Sequence, residues 1–203
     1  MAKLVASTAF VATAVQVGAL RSLFGRFILL GLVFSWAGDA FLIGESRTAF
    51  LLGLGAFLIA HLSYIGAFAI RGVSMRWAML GALPVVAAAI TVSLWLAPHV
   101  PASMTGPVRA YTVVISLMLI AAIGTRGQGA PVTILAGAFL FFLSDLSVAA
   151  LRLVETSYPT YVWGLPLYYA GQTLLALSAS QSRSHCGVPE NRSARKSIKA
   201  RTL

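Results

Sequence analysis

Acidic residues are scarce in this chain. Five Asp or Glu stand against fifteen Lys or Arg in 203 residues, and charged residues of both signs make up only 10%. A soluble domain carries roughly 25% charged and about 45–50% apolar residues, whereas 59% of this chain is apolar. So little charge excludes an ordinary water-soluble domain of this length. Cysteine is almost absent too: Cys186 stands alone, so no internal disulfide and no thiolate metal site can form. Ligand pairs such as HExxH are missing, and no metal site is expected. The glycines of GLGAF, Gly53 and Gly55, follow no strand, so they indicate close helix packing rather than a phosphate loop. The first apolar run follows Lys3 without a clear signal-peptidase site and is expected to remain as a helix. The net charge of +10 does not indicate nucleic acid. Six of the fifteen basic residues lie in the last twenty-one positions, most of the others punctuate apolar runs, and no aromatic interleaving accompanies them.

What is present is a succession of long apolar runs. A helix needs about 20 residues to cross ~30 Å at 1.5 Å per residue. Runs near 3–20, 26–43, 48–70, 76–97, 107–124, 130–151 and 160–180 meet that length or come close, and Arg, Gly and Pro clusters break them. The expected architecture is all-α: a polytopic transmembrane bundle of about seven spans over residues 1–180, followed by a basic, disordered tail, 181–203, lying against anionic lipid headgroups. Seven spans with the carboxyl terminus inside place eleven basic residues on the inner face and four (Lys3, Arg47, Arg109 and Arg152) on the outer. Positive-inside bias therefore predicts a multi-pass cell-membrane protein with a cytoplasmic carboxyl terminus and an outward amino terminus before Lys3.

Within these runs a few polar groups stand out. The stretch GLVFSWAGDAFLIGESRTAFLLGLGAFLIAHLSY, residues 31–64, carries Asp39 in one apolar run and His61 in the next. GAFLFFLSDLSVAALR, residues 137–152, carries Asp145. A carboxylate in hydrocarbon costs at least a few kcal/mol unless it is neutral, paired or in a wet cavity, which makes it a functional candidate. In both runs a glycine lies eight residues before the Asp and a small residue, Gly38 or Ser144, directly precedes it. Asp39 and Asp145 fall ~20–22 Å along their helices, with His61 near mid-span and Tyr64 one turn deeper on the same face. Tyr168, Tyr169 and Gln172 descend from the outer side, while Arg152 and Glu155 cap the exit of the sixth span. Two carboxyl groups flanking one cavity suit acid–base work, one protonated and the other ionised. A proton-coupled small transporter or a lipid-binding membrane protein would use similar groups.

FSWAGDAFLI, GLGAFLIAHLSY, GAFLFFLSDLSVAALR and YYAGQTLLALS, taken in order, resemble the lysoplasmalogenase family of integral membrane proteins, the YhhN-like or TMEM86-like group, over roughly residues 26–180. That resemblance implies hydrolysis of the vinyl ether bond of lysoplasmalogens to a fatty aldehyde and a glycerophospho-alcohol. It also implies paired catalytic aspartates at the positions of Asp39 and Asp145. His61 joins the expected catalytic set, and Tyr64, Ser144, Arg152, Tyr169 and Gln172 match recurrent positions expected to bind the lysophospholipid substrate. No cofactor is implied. The family is usually eight-spanned, with a Lys-Pro pair opening the span before FSxxGD; here Leu4 follows Lys3.

Overall fold

A computed structural model describes residues 2–154, 156, 159 and 161–180. Seven α-helices run up and down: α1 (Ala2–Gln16), α2 (Leu23–Phe41), α3 (Arg47–Arg71), α4 (Met75–Leu96), α5 (Thr105–Arg126), α6 (Val132–Ala149) and α7 (Tyr161–Ser178). Local chemistry explains the boundaries. Ser22 caps α2 by accepting from the Gly25 amide at 3.0 Å, and Ser46 caps α3 by accepting from Ala49 at 3.1 Å. Gly18, at φ 90°, stops α1 in the left-handed region before a short 3-10 turn, Ala19–Arg21. A π-helical turn, Ala150–Val154, extends α6 and carries Arg152.

Around the bundle the helices follow the order α1, α2, α3, α5, α6, α7 and back to α1, a closed ring of six, while α4 lies outside against α5. Small residues allow the tightest contacts. A Cβ on Gly38 would come 2.6 Å from the Phe57 ring of α3, and one on Gly137 would come 2.9 Å from the Gly171 carbonyl oxygen of α7. Gly31 likewise makes room for the Tyr64 ring. The glycines two turns before each aspartate are thus packing residues, on α2 and α6 alike. Gly53 also packs closely, since a Cβ there would come 2.8 Å from the Leu42 side chain, but nothing lies within 4 Å of a Cβ on Gly55. The close-packing expectation therefore fails for Gly55, which points into open space.

An aromatic column fills the ring. Phe57, Phe141 and Tyr168 meet edge to face at centroid distances of 5.5–6.0 Å, with Phe10, His61 and Tyr64 around them. The outer surface is apolar, and on α4 Leu80, Leu83 and Leu94 are 74%, 79% and 71% exposed. Apolar side chains outside and polar ones within are what a lipid solvent selects.

Five helical segments among the described residues are long and apolar enough to cross a membrane: Leu23–Phe41, Arg47–Arg71, Met75–His99, Ala102–Arg126 and Val132–Val154. This corrects the expectation of seven spans. Helix α1 has 15 residues and reaches only ~22 Å at 1.5 Å per residue, because Gly18 ends it early. Helix α7 spends its interior positions on Tyr168, Tyr169 and Gln172, and Pro166 interrupts it. Both nevertheless complete the ring. Glu155 and the basic tail lie outside the described residues.

Candidate active site

The alternating direction of the helices gathers the start of α1, the ends of α2, α4 and α6, and the starts of α3, α5 and α7 at one end of the bundle. Both aspartates lie toward this end, Asp39 in the last turn of α2 and Asp145 in the last turn but one of α6. Each is held by a separate set of donors. Asp39 is 6% exposed; its Oδ2 accepts from the Ser7 hydroxyl of α1 and, at 2.8 Å, from the Tyr168 hydroxyl of α7. Asp145 Oδ2 accepts from the Tyr111 hydroxyl of α5 at 2.6 Å and lies 3.2 Å from His61 Nε2. His61 Nε2 is also 2.9 Å from the Tyr111 oxygen. Since Tyr111 donates its proton to Asp145, the hydrogen on His61 belongs on Nε2. Nδ1 is buried and has no partner among the described residues.

Two adjoining pockets meet at the acids. The polar one is lined by Lys3, Asp39, Ser144, Asp145, Ser147, Arg152 and Tyr168 among others. The second is apolar apart from Asp145, Tyr111 and Thr112, with walls such as Phe50, Leu54, Val92, Leu96, Ile115 and Phe142 from α3, α4, α5 and α6. Leu42, Phe57, Asp145 and Val148 belong to both. Asp145 therefore stands at the junction of a pocket bearing two cations and a pocket of hydrocarbon.

The other sequence-derived candidates fall into three places. Ser144 and Arg152 line the polar pocket; Ser144 donates to the Phe141 carbonyl at 2.7 Å, and Arg152 Nη2 donates to the Leu42 carbonyl at 3.0 Å. Tyr64 and Gln172 are fully buried behind the acids. Tyr64 donates to Gln172 Oε1 at 2.7 Å, and Gln172 Nε2 donates to Ser35 Oγ at 2.9 Å, tying α3, α7 and α2 together. Tyr169 donates to the Lys3 carbonyl at 3.2 Å and lines neither pocket. Its neighbour Tyr168 is the one that reaches an acid.

Sequence reasoning also missed Ser7, Tyr111 and the place of Lys3 in the pocket wall. Tyr111 carried one faint signal, a hydroxyl two turns inside an apolar helix start. Ser7 carried none, because a serine commonly satisfies itself on its own helix, and the Lys3 carbonyl, 2.9 Å from the Ser7 oxygen, is such an alternative acceptor for its one proton. Among the described residues no group of three or more His, Cys, Asp or Glu comes together. The nearest approach is the pair of Asp145 and His61.

Such a bundle, apolar without and carrying two acids in adjoining internal pockets, defines a polytopic membrane protein with a polar, acid-bearing interior. The chain belongs to the YhhN family, whose pattern matches residues 1–179. It is similar to lysoplasmalogenase TMEM86A of Bos taurus, 34% identical over 162 residues that cover 77% of this chain and 66% of that one. Lysoplasmalogenase TMEM86B of Mus musculus is 34% identical over 156 residues, 73% of this chain and 61% of that one. A Mycobacterium tuberculosis protein named lysoplasmalogenase is 34% identical over 106 residues, covering 50% and 41%. The chain thus spans a little under two thirds of the length of these mammalian relatives. No solved structure matches.

Proposed function

We propose that this protein is a membrane hydrolase that cleaves the vinyl ether bond of a lysoplasmalogen, giving a fatty aldehyde and a glycerophospho-alcohol. The observation that carries the proposal is the position of Asp145 between a cationic pocket and an apolar one. A single-chain ether lipid has the same polarity: a phosphate headgroup, an alkyl chain, and the vinyl ether where they join. Lys3 and Arg152 attract the phosphate, and the alkyl chain lies along the apolar pocket. Of the nearby phenylalanines, Phe57 lines that pocket, whereas Phe139 is 48% exposed on the outside and Phe141 is buried in the aromatic column.

The chemistry follows from one proton shared by two carboxyl groups, since two adjacent carboxylates in a poorly solvated site repel each other. Protonated Asp145 delivers its proton to the vinyl carbon remote from oxygen, and an oxocarbenium ion forms. Water adds to the carbon bonded to oxygen while Asp39 takes its proton. In the resulting hemiacetal, Asp39 returns that proton to the ether oxygen as the C–O bond breaks. Asp145 removes the hydroxyl proton as the aldehyde forms. One water is consumed and both acids recover their starting states. Glycoside hydrolases divide acid and base roles between two carboxyls around a similar cation.

Purified full-length protein in detergent or nanodiscs, given an alkenyl lysophospholipid, should release a fatty aldehyde. It should leave the corresponding acyl and saturated alkyl ether lysolipids intact. Headgroup release from those analogues, or solute flux into liposomes without any aldehyde, would overturn the proposal. Flux alone would favour a proton-coupled carrier.

A further inference from the structure

The geometry points to Tyr111 as a positioning residue for Asp145, with Tyr168 its counterpart on Asp39: the two phenols clamp one oxygen of each acid and leave the other oxygen of each for proton exchange. This rests on the hydrolase reading above and extends it to Tyr111, which the sequence did not single out.

The two acids are held alike although their helices differ. Among the described residues every hydrogen bond to Asp145 falls on Oδ2, from Tyr111 at 2.6 Å and His61 at 3.2 Å. Every one to Asp39 also falls on Oδ2, from Tyr168 at 2.8 Å and from Ser7. An oxygen that already accepts two hydrogen bonds is a poor place for a proton. Oδ1 is therefore the oxygen of each acid that can carry and deliver one. The clamps also fix rotation: a carboxyl pinned through Oδ2 cannot exchange its two oxygens by a half-turn of χ2.

Both phenols are pre-set by packing. Tyr111 crosses the His61 ring edge to face at 5.2 Å, and Tyr168 is wedged between Phe10 and Phe141 at 6.1 and 5.5 Å. Tyr111 comes from α5 and lines the apolar pocket, and Tyr168 comes from α7 and lines the polar one. Each acid is thus oriented by the wall that faces a different part of the substrate. Tyr111 lies one helix before Asp145 in sequence order and Tyr168 five helices after Asp39, so neither phenol meets its acid for a local reason. Burying two hydroxyls against two carboxylates in a membrane bundle restricts the fold, and the gain is orientation.

The test is Tyr111→Phe, which keeps the ring and its contacts and removes only the hydroxyl. Helical circular dichroism and thermal midpoint should stay close to those of the unchanged protein. KM for the alkenyl lysolipid should change less than about threefold, while kcat falls about 10-fold or more, toward the loss typical of impaired acid–base catalysis. A second readout needs no turnover. Infrared difference spectra against Asp145→Asn identify the Asp145 carboxyl band, and that band should shift in Tyr111→Phe. Thr91→Val on α4, whose exposed hydroxyl donates to the Ala87 carbonyl away from both pockets, should leave both kcat and the band unchanged. An unmoved band with unchanged kcat would overturn the inference, as would an equal effect of Thr91→Val. If the protein cleaves no vinyl ether but the band still shifts, the clamp stands and the hydrolase reading falls.

Discussion

At the scale of single residues the decisive property is how little freedom the two acids have. Asp39 and Asp145 take their donors from four different helices, α1, α7, α5 and α3, so neither can turn without breaking contacts on two sides. Asn at either position keeps the size and loses the proton chemistry. Asp39→Asn and Asp145→Asn should each remain folded and lose turnover by ~10²-fold or more. The double variant should lose far less than the product of the two losses, because the proposed mechanism has the pair share one proton and work as a unit. Steady-state kinetics on the three variants reads this directly; multiplicative losses would mean the acids act separately. Arg152→Gln should raise KM for the phospholipid several-fold with kcat nearly held, since the guanidinium lies in the pocket wall and is fixed by the Leu42 carbonyl rather than by the acids. Equal loss of kcat and kcat/KM would place Arg152 in the chemistry instead.

At the scale of helices, small residues decide where the walls stand. Gly137 and Gly171 bring the backbones of α6 and α7 together. Gly137→Ala forces a methyl to 2.9 Å from a carbonyl oxygen that cannot move aside alone, and overpacking of this kind typically costs about 1–3 kcal/mol. Gly55→Ala meets nothing and replaces a poor helix former, so it should be neutral or stabilising by up to ~1 kcal/mol. Thermal midpoints of the two variants in the same detergent should therefore move in opposite directions. The helices themselves were legible in the sequence because they rest on long apolar runs and strong punctuation: α3, expected over 48–70, spans Arg47–Arg71, and α4, expected over 76–97, spans Met75–Leu96. The two aspartates and His61 were legible for the same reason, since ionisable groups are conspicuous in hydrocarbon. Tyr111 and Ser7 were not, and Tyr168 stood out only as one polar group among several on its helix. Tyrosine and serine within a helix are commonplace, and what distinguishes these three is contact across elements, which periodicity along one chain does not encode. Tyr64 and Gln172 were conspicuous for their polarity, yet the structure places them in an inter-helix tie behind the acids.

At the scale of the whole molecule, the end bearing the acids carries the 42–46 and 97–104 connections, and the opposite end carries 72–74 and 127–131. With Cys186 replaced, single cysteines at Glu45 and Gly129 should react with a membrane-impermeant maleimide from opposite sides. Positive-inside bias expects Gly129 to face the cytoplasm; labelling of both from one side would break the up-and-down arrangement.

The ring is closed by its most distant partners in the chain. Helix α1, at residues 2–16, meets α7, at residues 161–178, and Asp39 receives one hydroxyl from each. A nascent chain grows from its amino end, so Ser7 waits in the membrane through the synthesis of five further helices before Tyr168 arrives. Until then Asp39 has half its donors, and the polar pocket lacks the α7 side that Tyr161, Gly164, Leu165 and Tyr168 provide. The acid-bearing interior is thus assembled last, by the same contact that seals the bundle. A chain truncated before Tyr161 and released from the ribosome should already hold α2 against α3 and Asp145 against His61, yet be inert toward lipid.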